Sequence, residues 1–160
     1  MQELLHDRSW IASHIPHQGK MCLLDQVLTW DSLSIVCRAG SHRAADNPLR
    51  AHGRLGAACA IEYAAQAMAL HGALLQPTPA DATRTGAGFG LLASAREVEI
   101  WVTRLDDLES DLRVSAQRLH SDARGALYSF ALHAEESVLV RGRASLLLDA
   151  SNSSIHSAMP

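Results

Sequence analysis

Hydrophobic positions recur with period two through most of the C-terminal half. Ala126, Tyr128, Phe130, Leu132 and Ala134 alternate with polar Ser129 and His133, and Val138, Val140, Gly142, Ala144, Leu146 and Leu148 make a comparable face in the next run. Side chains two apart share a face only in an extended chain, so both runs are predicted to be half-buried strands. Ser121-Asp122-Ala123-Arg124-Gly125 and Glu135-Glu136-Ser137 are polar connections of hairpin length. Upstream, Val98, Ile100 and Val102 alternate with Glu97, Glu99 and Trp101, Asp106-Asp107 turns the chain, and Leu112, Val114 and Ala116 follow. The pattern predicts a meander over residues 95–105, 110–119, 124–135 and 137–149. Two shorter β runs, Cys22–Trp30 and Leu33–Ala39, come earlier, with Asp31-Ser32 turning between them.

The segment Leu55–Leu75 (LGAACAIEYAAQAMALHGALL) breaks this period. It is rich in Ala, the strongest helix former. Between Arg54 and Asp81 the only residue charged at neutral pH is Glu62. A surface helix should carry a polar face, and this one is apolar nearly all round. It reaches the roughly 20 residues needed to cross a bilayer. Glu62, Gln66 and His71 at mid-span, and Ala in place of Leu or Ile, argue against a membrane span. The expected structure is a helix buried by a curved sheet, whose small Ala and Gly side chains let the strands wrap closely. Two strands, a long helix and four strands make an α+β layout. Residues 1–150 are expected to form one domain and 151–160 a frayed tail. Gln76–Gly90, broken by Pro77, Pro79, Gly86, Gly88 and Gly90, reads as flexible.

Composition removes several function classes. The 160 residues carry 14 Lys+Arg against 17 Asp+Glu, a formal charge of −3, and only seven aromatic residues, fewer than the nine His. Neither a basic stripe nor a stacking platform for nucleic acid is present. The apolar fraction of 48% is too high for disorder. Cys22, Cys37 and Cys59 are odd in number and form no C-x-x-C pair, which reads as reduced thiols. The first residues lack the basic and apolar regions of a signal peptide, so a cytoplasmic location is expected. His6, His14, His120, His133 and His156 form no H-x-H or H-x3-H pair, so neither a metal site nor a cofactor is expected.

Glu62 is the residue that demands an explanation. No Arg or Lys lies within a helical turn, whereas Gln66 stands at i+4, beside Ala58, Cys59 and Ala69 on one face. An unpaired buried carboxyl raises its pKa and takes up a proton. Glu62 is then either a buried group held by Gln66, Tyr63 or backbone, or a general acid or base poised for proton transfer.

Ile15-Pro16-His17-Gln18-Gly19-Lys20-Met21-Cys22-Leu23-Leu24-Asp25-Gln26-Val27 resembles the opening of the FabZ-like β-hydroxyacyl-acyl-carrier-protein dehydratases, in which a Pro-His pair precedes an apolar stretch ending in Asp-x-Val. Ile61-Glu62-Tyr63-Ala64-Ala65-Gln66-Ala67 resembles that family's central-helix motif, and with Asn47-Pro48-Leu49 upstream it is most similar to the ApeP-type dehydratase-like proteins of aryl-polyene and related pathways. The two motifs and the element order cover most of residues 10–149. The resemblance implies a hotdog fold, an antiparallel sheet wrapped around one long helix and dimerised edge to edge. It also implies elimination of water from a β-hydroxyacyl thioester, a His handling the C2 proton while the helix carboxyl protonates the leaving hydroxyl.

Carried over residue by residue, Glu62 matches the acid and Gln66 its neighbour, while Gly53 and Gly56 would offer backbone donors to the thioester. The family His does not carry over: its Gly-His-Phe-Pro-Gly motif is absent, and the position fourteen residues before Glu62 is Pro48. His52, ten residues before Glu62, is the alternative base or an exposed loop residue. His17, in the matched Pro-His pair, is a substrate-binding candidate. His71 reads as a packing residue and Cys59 as a small core residue without a cation to activate it. Arg43, Arg50 and Arg54 are either a solvated loop or a dock for an acidic carrier protein and its phosphopantetheine phosphate. The expected activity is that of a 3-hydroxyacyl-[acyl-carrier-protein] dehydratase-like subunit, in a homodimer or in a heterodimer with a homologous subunit. The alternatives are a non-catalytic partner in a heterodimeric dehydratase and a hotdog acyl thioesterase.

Overall fold

The computed structural model describes residues 6–76 and 90–148. In chain order the elements are α1 (Arg8–His14), β1 (Gln26–Trp30), β2 (Ser34–Ala39), α2 (Ala60–Leu75), β3 (Gly90–Ile100), β4 (Leu112–Ser121), β5 (Gly125–Ala134) and β6 (Ser137–Leu148), with short 3-10 turns at Gly19–Met21, Ser41–Arg43 and Ala57–Cys59. The six strands form one antiparallel sheet in the order β1-β2-β4-β5-β6-β3. One face of that sheet closes over α2, the hotdog arrangement that the resemblance implies.

Small side chains make this close packing possible. Ala60, Ala64 and Ala67 are fully buried, together with Tyr63, Leu70 and, almost fully, Met68. They meet the inward faces of the strands: Ile35, Cys37 and Ala39 of β2, Leu112, Val114 and Ala116 of β4, and Tyr128, Phe130 and Leu132 of β5. Among the described residues no helix is long and apolar enough to cross a membrane.

The turn residues act locally as their chemistry predicts. Asp31 Oδ1 accepts from the amides of Leu33 and Ser34, closing the β1–β2 hairpin, and Asp122 Oδ1 does the same with Arg124 and Gly125 between β4 and β5. The structure departs from the sequence pattern at four points. Helix α1, capped by the Asp7 carboxylate on the Trp10 amide, has a single buried residue, Ile11, too little periodicity to be read from sequence. Strand β1 starts only at Gln26, because Cys22, Leu23 and Leu24 are a buried connecting segment. In β6 the expected inward residue Val138 is exposed and Leu139 is buried, because the register slips between Leu132 and His133.

The fourth departure bears on function. The strand expected over 95–105 ends at Ile100, and the segment after it leaves the sheet to pair with the residues ahead of α2. Ala57 N–H donates to Thr103 O at 3.1 Å and Leu105 N–H to Leu55 O at 2.8 Å. The expected loop Gln76–Gly90 lies almost wholly outside the described residues, and the tail 151–160 lies entirely outside them.

Near the C-terminal end of α2, His71 is fully buried between two elements of the sheet. Its Nε2–H donates to Asp31 O at 2.8 Å and its Nδ1 accepts from the Tyr128 hydroxyl at 2.8 Å, which fixes the neutral tautomer. Burial pushes the imidazole pKa below its ordinary value and the Tyr128 hydroxyl up to about 12. His42, also fully buried, is lowered by burial in the same way. The unfolded chain takes up a proton on each ring near pH 6.5, whereas the folded chain does so only at lower pH. Protons therefore favour the unfolded state, and stability is lost as pH falls through about 6.5. Urea unfolding between pH 7 and pH 5 should show a falling midpoint, with a smaller fall in His71→Gln; an unchanged midpoint would contradict the assignment.

Candidate functional site

Glu62 lies in the first turn of α2 and is one of the few α2 residues that is not fully covered; its side chain is 31% exposed. Its partner comes from the far end of the N-terminal segment. His17 Nε2 stands 3.1 Å from Glu62 Oε1. The Gln66 amide approaches the same oxygen at 3.4 Å. The expectation that Glu62 would hold a raised pKa is not met. The hydrogen bond from His17 is the largest effect, and with that from Gln66 it outweighs desolvation and lowers the carboxyl below its ordinary value. The sequence offered no cation within a helical turn, but the fold brings an N–H donor across 45 residues.

Why His17 arrives there follows from the segment that carries it. Ile15, Cys22, Leu23 and Leu24 are buried and pin both sides of the turn Gly19–Met21. Gln66, with no exposed surface, clasps that turn: its Nε2 donates to Met21 O at 2.7 Å and its Oε1 accepts from Leu23 N–H at 2.9 Å. The shorter contacts of Gln66 are therefore to backbone. Gln18 ties the preceding chain to α1 through Ala12 O at 3.1 Å. Outside the segment, Asp25 accepts from Arg8 and from the Gly40 amide at the end of β2.

A second buried network flanks Glu62. The Tyr63 hydroxyl meets Ser41 Oγ at 2.7 Å, Ser41 Oγ donates to Leu23 O at 2.7 Å, and Asn47 Nδ2 donates to the Tyr63 oxygen at 3.2 Å. Asn47 also accepts from the Leu49 amide, so the Asn47-Pro48-Leu49 turn is held with Asn47 inward and Pro48 exposed. Pro48, the position at which the resemblance led to the expectation of a His, thus faces solvent.

The remaining sequence candidates are placed separately. Ala51 and Arg54 exchange backbone hydrogen bonds across His52-Gly53, both at positive φ (53° and 75°), so His52 and Gly53 form the tip of a two-residue hairpin. His52 is exposed and has no hydrogen bond or ion pair with Glu62 among the described contacts. Gly56 caps the turn into α2, and nothing lies within 4 Å of where its Cβ would stand. With Ala57 N–H donating to Thr103 O and Cys59 N–H to Gly56 O, the Gly56 and Ala58 amides at this corner remain outside the pairing. Cys59 is half-buried and burial raises its thiol pKa, which keeps it protonated. Two of the three arginines have local partners instead of forming a free cluster: Arg43 holds Asp111 and Glu109 O, and Arg50 binds Ala44 O at 2.8 Å and lies 3.6 Å from Asp106. Arg54 alone of the three is exposed without a partner among the described contacts. Asp106 in turn accepts from the Leu55 amide and from Arg104, which holds its carboxyl well below the usual range and fastens the chain ahead of α2.

Among the described residues no group of three His, Cys, Asp or Glu is arranged to hold a metal ion. Among the described residues, a concavity of about 700 Å³ on the outer face of the sheet, lined by residues from β2 to β6, does not include Glu62. The contributors to this candidate site that sequence reasoning did not place there are Asn47, Ser41 and the direct His17–Glu62 contact. Only the proximity of Asn47 to the matched motif hinted at any of them.

The ApeP-like family model, described as ApeP dehydratase, matches residues 9–155. The dehydratase heterocomplex ApeI:P from Xenorhabdus doucetiae is similar in structure, with 24% identity, a TM-score of 0.73, and coverage of 86% of this chain and 90% of that one. Zebra fish thioesterase superfamily member 2 is similar at 13% identity and a TM-score of 0.60, covering 88% of this chain and 94% of that one. Thioesterase superfamily member 2 from Mus musculus is similar at 11% identity and a TM-score of 0.52, covering 76% of this chain and 80% of that one. These likenesses establish the fold. No curated protein matched the chain.

The clasp by Gln66 gives a direct test of how the site is held. Gln66→Leu would leave Met21 O and the buried Leu23 N–H without partners, a loss of about 2–4 kcal/mol at the usual cost of unsatisfied buried groups. Chemical denaturation should show that loss. Amide hydrogen exchange should show its largest increase over residues 17–24; an increase spread evenly over the chain would contradict the clasp.

Proposed function

Because the chain belongs to the ApeP-like dehydratase family, we propose that it contributes Glu62 to a site that removes water from β-hydroxyacyl thioesters on acyl carrier protein, and that a second hotdog subunit completes that site across strand β3. The observation that carries this reading is the state of the two sheet edges. Edge β1 is short and covered, since Asp7 bridges Gln26 and Val27 N–H donates to His6 O. Edge β3 runs eleven residues with Leu91 70%, Leu92 41% and Ile100 47% exposed, and Trp101 just beyond it 52% exposed. A long apolar edge with unpaired backbone groups is a surface for another strand.

The same edge leads straight into residues 103–105, which pair with the corner of α2 where Gly56, Ala58 and Glu62 stand. A subunit seated on β3 would therefore roof the carboxyl and leave the Gly56 and Ala58 amides to polarise a thioester carbonyl. The heterocomplex to which the chain is similar supports a homologous partner in place of a second copy. His17 at 3.1 Å supports the role of Glu62 more directly than His52 at its exposed hairpin tip does. Arg54, exposed and close to α2, is a contact for the phosphopantetheine phosphate. A cytoplasmic location goes with a carrier-protein substrate.

The test is turnover of a β-hydroxyacyl group on phosphopantetheinylated carrier protein, followed by enoyl formation, with the chain alone and with a hotdog dehydratase subunit. Enoyl formation that needs this chain and falls about 100-fold or more in Glu62→Gln supports the proposal. Unchanged turnover in Glu62→Gln would make the chain a non-catalytic partner, and free thiol without enoyl product would make it a thioesterase. Leu91→Lys combined with Ile100→Lys should abolish subunit association in size-exclusion chromatography while leaving the melting temperature within a few degrees of the parent.

A further inference from the structure

In the turn ahead of α2 a carboxylate stands in for a backbone carbonyl. Residues 55–57 and 103–105 run antiparallel, with Gly56 opposite Arg104. Ala57 N–H donates to Thr103 O, and Leu105 N–H to Leu55 O. In a regular antiparallel ladder, opposed residues of such a pair exchange both bonds, so Leu55 N–H would return to Leu105 O. That carbonyl instead accepts from Leu108 N–H at 3.2 Å, and Leu55 is fully buried. Asp106 Oδ1 takes the Leu55 N–H, at 2.9 Å.

The Asp106 side chain is only 5% exposed, so its charge needs partners. Arg104 Nε donates to Oδ1 at 3.0 Å and its Nη2 to Oδ2, while Arg50 Nη1 lies 3.6 Å from Oδ2. Arg50 is anchored in turn on Ala44 O and, at 3.3 Å, on Gly53 O. One carboxylate thus joins the segment after β3, the chain ahead of α2 and the hairpin at His52-Gly53. The consequence falls on the next peptide unit. It is planar and trans, so Gly56 N–H points opposite to Leu55 O. With Leu55 O held by Leu105 N–H, the Gly56 N–H is turned away from residues 103–105 and has no partner among the described contacts. Nothing lies within 4 Å of where a Cβ of Gly56 would stand, so the space beside it is open.

We propose that Asp106 is a positioning residue of the site: by holding Leu55 N–H it sets the Leu55–Gly56 peptide so that Gly56 N–H donates to the thioester carbonyl of the substrate. The proposal rests on the dehydratase reading above. Loss of the C2 proton puts negative charge on the thioester oxygen, and a donor fixed beforehand stabilises that charge without reorganising. Without the carboxylate, a buried N–H and two guanidinium groups lose their acceptor, and the peptide is released to turn toward other partners.

The test uses the complex of this chain with a hotdog dehydratase subunit and the carrier-bound β-hydroxyacyl substrate. Its second probe is a saturated acyl thioester on carrier protein, carbon-13-labelled at the carbonyl and inert to elimination. Asp106→Ala should lower kcat about tenfold or more, as displacement of an oxyanion donor does, with KM within about threefold. The labelled carbonyl of the bound thioester should then stretch at a higher frequency than in the parent complex. Asp106→Asn keeps an oxygen for Leu55 N–H and should hold kcat within about threefold and the carbonyl frequency near the parent, even where the lost charge lowers the melting temperature. Nitrogen-15 NMR of the chain alone should show the Gly56 amide displaced in Asp106→Ala and close to the parent in Asp106→Asn. An unchanged kcat in Asp106→Ala, or a carbonyl frequency and Gly56 amide that do not move, would overturn the role of Asp106 alone. So would a loss of kcat beyond about tenfold in Asp106→Asn, which decides the matter if Asp106→Ala does not fold. An inactive parent complex would overturn the dehydratase reading and this role with it.

Discussion

A helix buried on almost every side cannot leave a polar side chain without a partner, and α2 carries four such residues. Glu62 and Gln66 share one face of this rod, while Tyr63 and His71 point in other directions. Each fastens a different part of the chain: His17, the Ser41 and Asn47 turns, the Met21–Leu23 segment, and the β1–β2 hairpin with Tyr128. The apolar surface of α2 supplies cohesion, but its polar groups decide where the loops go. The site is a by-product of that constraint, since Gln66, in satisfying itself on Met21 and Leu23, seats His17 against Glu62.

The order of the strands has a comparable consequence. With β3 at the edge beside β6, the segment after Ile100 is free to leave the sheet and to pair with Leu55 and Ala57. The open edge and the corner of α2 are thereby placed next to one another. On the proposed reading, a partner chain that satisfied the backbone of β3 would also enclose the carboxyl, which would make association and the completion of the site one event.

Much of this was legible in the residues. The β5 alternation, the Asp31 and Asp122 turns and the lone charge in an Ala-rich helix all foretold what the structure shows, because each depends on neighbours close in sequence. The misplaced features share the opposite character. Val138 faces out because of a register slip against β5, the 95–105 strand stops early because of a pairing with residues near 56, and the carboxyl of Glu62 is lowered instead of raised because of a ring 45 residues away. The arginine cluster dissolves for the same reason, as Arg43 and Arg50 have partners at Asp111 and Asp106.

Sequence by itself determined the α+β layout and the identity of the buried helix and singled out Glu62 as its lone charge, since periodicity, helix propensity and the cost of burying a lone charge are local properties; the hotdog class followed from the resemblance that the two motifs carry. Tertiary structure alone decided the ionisation of Glu62, the choice of His17 over His52 as its neighbour and the exposure of Pro48. Those outcomes depend on which distant groups share a few ångströms, and the energy of a hydrogen bond or a buried charge is set by that distance and not by separation along the chain.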